Sequence, residues 1–143
     1  MYRVVGIALA LMPVASEAAP VYLTCQLPYG SGKSEMHEMD ITLNEDAGTV
    51  TFILPKFNLS YTVPGVFTAD KVTFHDNKEL GATTDYTIDR TNLALRESIL
   101  PESAMPAIMA QNPTSADAIL KEMDRARLVN NGKCALTHVK RAF

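Results

Sequence analysis

Met36-His37-Glu38-Met39 is the densest run of metal-ligating side-chain types in the chain. Thioether and imidazole groups suit copper. In an extended strand Met36 points away from His37 and Met39, so only His37 and Met39 can meet one ion. Two ligands leave a metal site incomplete. The same residues also read as a solvated strand start whose Met39 enters the core, and no metal or other cofactor is expected. His37-Glu38 opens like a zinc-protease motif, but the second histidine of that motif falls on Ile41. Gly30-Ser31-Gly32-Lys33-Ser34 reads like the end of a phosphate-binding loop, but the leading glycine falls on Leu27. A flexible connection between two strands accounts for it. The chain has no Gly-x-Ser-x-Gly elbow. His75 and His138 stand alone in sequence and receive no role.

Tyr86-Thr87-Ile88-Asp89-Arg90 carries more information. Tyr86 and Ile88 share a strand face, and strict alternation brings Arg90 onto it. An arginine entering an apolar face must be paired or must bind an anion. One reading makes Arg90, with Tyr86, an anion or ligand contact at a barrel mouth. The other makes Arg90 a strand-end residue bonded to Asp89 or to carbonyls at Thr91-Asn92. Asn58-Leu59-Ser60 matches a glycosylation sequon on the polar side of a strand.

Short alternating segments must position these groups. Val21 to Leu27 is a first strand, stopped by Pro28-Tyr29-Gly30. Glu35 to Asn44 alternates with Met39, Ile41 and Leu43 on one face. Glu45-Asp46-Ala47-Gly48 turns the chain, and Thr49 to Leu54 returns with Val50, Phe52 and Leu54 inward. Pro55-Lys56 breaks this hairpin. Phe57, Leu59, Tyr61 and Val63 mark a fourth strand, ended by a turn at Pro64-Gly65. Lys71 to His75, Thr83 to Arg90 and Asn92 to Ile99 supply three more. Pro101 to Asn112 resists assignment beyond one helical turn. After it, Thr114 or Ser115 can cap a helix with Asp117 in its first turn. Ala116, Ile119, Leu120, Met123 and Arg127 fall on one side of that helix. Asn130-Asn131-Gly132 is expected to stop it in a left-handed cap. Lys133 to Val139 closes the series.

The expected fold is therefore mainly β. It is an antiparallel meander of 7–8 strands forming a small barrel or strongly bent sheet, with one amphipathic helix before the last strand. Met1-Tyr2-Arg3, the apolar run Val4 to Leu11 and the small residues around Ser16 and Ala18 have the three-part layout of a secretory signal. The expected cut follows Ala18, giving a leader over 1–18 and one domain over 19–143 in the periplasm or outside the cell. The leader is too short to span a bilayer, which takes about 20 apolar residues, and no membrane insertion is expected after cleavage. In an oxidising compartment the two cysteines, Cys25 and Cys134, read as one bridge tying the domain's first and last elements. With 13 basic and 16 acidic residues and a net charge of −3, dispersed along the chain, nucleic acid is a poor partner.

The early cysteine, the stretch Tyr86-x-Ile88-Asp89-Arg90-Thr91-Asn92-Leu93 and the late Gly132-Lys133-Cys134 are similar to small exported bacterial β-proteins. That resemblance implies a periplasmic location and brings no activity with it. Tyr22-Leu23-Thr24-Cys25 also resembles the opening of periplasmic lysozyme inhibitors, small β-barrels that fill the enzyme cleft with a Ser-Gly-x-x-Tyr loop. The nearest stretch here, Leu80 to Tyr86, has different spacing and lacks the serine.

The leading expectation is a non-enzymatic exported β-domain that binds a small apolar ligand or a protein partner. A ligand pocket would be lined by Phe52, Leu54, Tyr61, Phe74 and Leu95. The same residues can instead fill the barrel as a solid core. An interaction or inhibitor module would use a loop such as Pro28 to Ser34 or Asn77 to Thr84. An enzyme would need titratable groups to converge, for example Asp89, Arg90 and a histidine.

Overall fold

The structure is a computed structural model that describes residues 18–29, 35–77 and 82–137. Most of the expected leader, the glycine-rich run at 30–34, residues 78–81 and His138 lie outside them.

Eight antiparallel strands close into a barrel in sequence order. They are β1 (Val21–Tyr29), β2 (Glu35–Asn44), β3 (Thr49–Leu54), β4 (Leu59–Phe67), β5 (Lys71–Asn77), β6 (Ala82–Asp89), β7 (Ala94–Pro101) and β8 (Leu128–Leu136). Between β7 and β8 lie two helices, α1 (Ala104–Ala110) and α2 (Ala116–Ala126). The mainly-β barrel expected from alternation is the fold observed, with a second helix where one turn was expected.

Period-two alternation explains the core. Met39, Ile41 and Leu43 from β2, Val50, Phe52 and Leu54 from β3, and Val72 and Phe74 from β5 all point inward and are buried. Phe52 is the hub of the interior. Its ring lies 5.4 Å from Tyr61, 5.7 Å from Phe74 and 5.7 Å from Tyr86, all in tilted packing. Phe74 stacks on Tyr86 at 4.9 Å. Side chains thus fill the middle of the barrel, as an eight-stranded barrel permits.

Closure comes from β1 pairing with β8, where Cys25 is the direct partner of Cys134 and the two are joined as a disulfide. Gly132 makes that seam tight. A Cβ there would run into the Gln26 carbonyl oxygen and lie 2.8 Å from Leu27 Cδ2, so only glycine fits.

Three local expectations are corrected. Pro64-Gly65 does not end β4. Pro64 is the last partner of β3, opposite Thr49, and Gly65 begins the ladder to β5 opposite Phe74. A proline is tolerated where a ladder ends, and the strand simply changes partner there. Asn130-Asn131-Gly132 does not cap the helix. The helix ends at Ala126, Arg127 is extended, and the three residues already belong to β8. Their ladder with Glu97, Arg96 and Leu95 outweighs the turn preference of the Asn-Gly pair. Ala116 and Leu120 do not join the covered side of α2, and Leu120 is 57% exposed. The helix leans instead through Ile119, Glu122, Met123 and Ala126, each partly covered. Its start is as expected, with Ser115 Oγ accepting from the Ala118 N–H at 3.2 Å. Both helices rest on β7, whose outward Ser98 and Leu100 are consequently buried as well as its inward face.

Candidate functional site

A cavity of about 420 Å³ opens at the end of the barrel where β1 begins and β8 finishes. Core side chains close its inner end, among them Leu23, Leu43, Val72 and Ile88. Phe67, Leu93 and Leu136 add further apolar wall, and Glu45, Arg90 and Thr91 bring polar atoms to it. The turns that carry these groups are well specified. Gly48, at φ 64°, closes the β2–β3 turn that bears Glu45. Asp89 Oδ1 accepts from the backbone N–H groups of Thr91 and Asn92 at 2.7 and 3.1 Å, which shapes the β6–β7 turn. Leu93 holds a left-handed φ of 59°, a conformation costing a non-glycine residue of order 1 kcal/mol.

Arg90 sits at this mouth, just past β6. Its Nη1 and Nη2 donate to the two oxygens of Glu45 at 3.2 and 2.9 Å, and Nη1 also donates to the Thr68 carbonyl at 2.7 Å. Strand alternation leaves Arg90 either at a barrel mouth or bonded to its own turn. The arginine does lie at the mouth, but its partners come from the β2–β3 and β4–β5 turns. Tyr86 does not join it there. The strand carries Tyr86 toward the opposite end of the interior.

That end holds a second group of polar side chains. Asp76, Thr84, Tyr86 and Glu97 are all buried, and they occupy inward positions on β5, β6 and β7. Tyr86 and Glu97 are cross-strand partners and share a side-chain hydrogen bond. Asn130 Nδ2 donates to Glu97 Oε1 at 2.8 Å. Burial raises the Tyr86 phenol well above its ordinary range, helped by the nearby Glu97 and Asp76 carboxylates. The His37 ring faces the same interior with both nitrogens shielded from solvent. Burial lowers its pKa from 6.5, Glu97 acting against this and Lys56 with it.

The sequence reading did not single out Asp76 and Glu97. The signal was parity: Asp76 follows Val72 and Phe74 on one face, and Glu97 lies between Leu95 and Ile99 on another.

The other candidates are dispersed. Met39 is fully buried in the core and Met36 is exposed on the opposite face. Among the described residues no group of three or more His, Cys, Asp or Glu is placed to hold a metal ion. His75 is an exposed strand residue opposite Asp85, and Asp89 is taken up by its turn. Asn58 is exposed at the end of a 3-10 turn (Pro55–Phe57), with φ 52°. Phe52, Leu54, Phe74 and Leu95, named as pocket-lining positions, lie in the packed core instead, and Tyr61, named with them, packs half-buried against it.

Comparison with known protein families, with curated proteins and with solved structures gives no match.

Proposed function

We propose that this protein is an exported binding domain that takes one small, mainly apolar molecule into the cavity at the β1/β8 end of the barrel. The observation that carries the reading is the cavity itself. About 420 Å³ with apolar walls and a few convergent polar groups is the usual make-up of a small-molecule site. Eight-stranded barrels have an interior suited to side chains or to one small ligand. Here the aromatic cluster around Phe52 takes the middle and leaves the end for a guest. The reading assigns binding rather than turnover, because Arg90 is engaged by Glu45 and lies away from the half-buried His37 and the buried Tyr86. The Cys25–Cys134 bridge is consistent with an oxidising compartment, which supports export.

The test is titration of the oxidised protein with the fluorescent amphiphile 1-anilinonaphthalene-8-sulfonate, beside a Leu43→Trp variant. Leu43 lines the cavity and borders the core, so a larger ring there occupies guest space. Saturable binding by the parent and its loss in a folded Leu43→Trp variant is the expected result. Binding that the substitution leaves unchanged would remove the cavity from the account.

A further inference from the structure

The cavity mouth holds a charge arrangement that removal of the leader would alter. Arg90 grips Glu45 with both ends of its guanidinium fork, so a carboxylate already occupies the position a ligand's carboxylate would take. The Thr68 carbonyl holds Nη1 independently. The guanidinium therefore keeps its orientation when Glu45 lets go.

The β1–β2 register places Val21 opposite Leu43 and Tyr22 opposite Thr42. The ladder stops there, at the rim, and Ala18 and Ala19 line the same cavity as Glu45 and Arg90. Ala18–Ala19 is also the expected leader cut. Hydrolysis by an export peptidase adds one water across that bond. Ala18 departs with the new carboxylate, and the Ala19 nitrogen becomes a free amine that takes up a proton. An α-amino group ordinarily titrates at about 7.7–8.0, so it is mostly an ammonium at neutral pH.

Among the described residues the charged side chains on the cavity wall are Glu45 and Arg90, which cancel. The new ammonium leaves the wall with a positive balance and gives Glu45 a second cation. Asp46, Asp70, Lys71 and Asp89 belong to the neighbouring turns and strand ends but do not line the cavity. Asp70 accepts from the Thr68 hydroxyl, and Asp89 accepts from its turn.

We propose that the mature cavity selects a carboxylate-headed apolar ligand, with the Ala19 ammonium drawing Glu45 aside so that Arg90 holds the head. Loss of Ala18 also removes a side chain from the wall. This inference rests on the binding reading above.

Calorimetric titration with octanoate and 1-octanol tests it on oxidised proteins whose fold is verified by circular dichroism. One protein starts at Ala19, a second carries a Gly-Ser extension ahead of Ala18, and a third adds Glu45→Gln to the extended form. The Ala19 form should bind octanoate about tenfold more tightly than the extended form does, the scale of one charge-assisted hydrogen bond. Its advantage should fade as pH rises through about 8. Glu45→Gln should restore octanoate binding to the extended form, because it removes the competing carboxylate. Arg90→Gln in the Ala19 form should lose octanoate while keeping octanol. Equal octanoate affinity in the Ala19 and extended forms overturns the inference, and so does octanol binding as tightly as octanoate. If neither ligand binds any form, the binding reading itself fails.

Discussion

Cys25 and Cys134 face each other as direct ladder partners with Cα atoms 3.9 Å apart, on the two strands that close the barrel. Their ladder spans only Leu23–Gln26 against Lys133–Leu136, whereas β1 pairs with β2 along its whole length. The bridge thus fastens a short closing seam. It spans 109 residues, for which chain entropy assigns about 4–5 kcal/mol. Replacing both cysteines by serine should lower the unfolding free energy by roughly that amount in urea titrations. The far-UV spectrum should keep its strand signature. A double variant as stable as the oxidised parent would show that the seam holds without the bridge.

Gly132 and Gly48 give a matched pair of substitutions with different causes. Gly132→Ala pushes a methyl group into the Gln26 carbonyl and the Leu27 side chain. Overpacking of this kind costs about 1–3 kcal/mol. Gly48→Ala meets no atom within 4 Å but must hold φ +64°, which costs about 1–2 kcal/mol for a residue with a Cβ. Denaturant midpoints measure both. Only Gly132→Ala should also change the β1–β8 amide chemical shifts.

Tyr86→Phe removes a hydroxyl from the Glu97–Asn130 network and leaves the ring stacked on Phe74. A buried carboxylate that loses a donor should cost about 1–3 kcal/mol. Pairing the substitution with Glu97→Gln in a double-mutant cycle isolates the bond, and a coupling near zero would exclude it as a stabilising contact.

His37 makes stability depend on acid. Burial lowers its folded pKa below 6.5, so the unfolded chain binds the proton more readily. Stability should fall as pH drops from 6.5 toward the lowered folded value. Tyr86 acts at the other extreme. Its folded pKa is raised, so stability should fall as pH climbs above about 10, where the unfolded phenol ionises. Urea midpoints of the parent and of His37→Gln, taken between pH 5 and 8, separate the acid limb. A variant with the parent's slope would assign that limb to another group.

Much of this fold was legible because alternation is a strong local signal. Met39-Ile41-Leu43 and Val50-Phe52-Leu54 face inward as their spacing demands. What failed were residues whose local preference tertiary pairing overrode. Pro64 and Gly65 read as a turn, yet the strand needed them at a change of partner. Asn131-Gly132 read as a cap, yet the closing seam needed a residue without a side chain.

The site was legible only in part. Arg90 announced itself by parity, but Glu45 is distant in sequence and ordinary in type, so only closure of the barrel brings the two together. Asp76 and Glu97 carried the same parity signal as Arg90. A charged residue in phase with an apolar strand face is the signal at all three positions.

The start of β1 and the end of β8 leave the barrel side by side, since Val21, Ala19 and Leu136 all line the one cavity. The chain is in effect a ring cut at the rim of its own cup. An affinity tag or fusion partner attached near either of these strand ends would hang over the opening and report a closed vessel. A circular permutant that splices the two ends, and opens the chain in a turn at the far rim, would leave the cup uncovered.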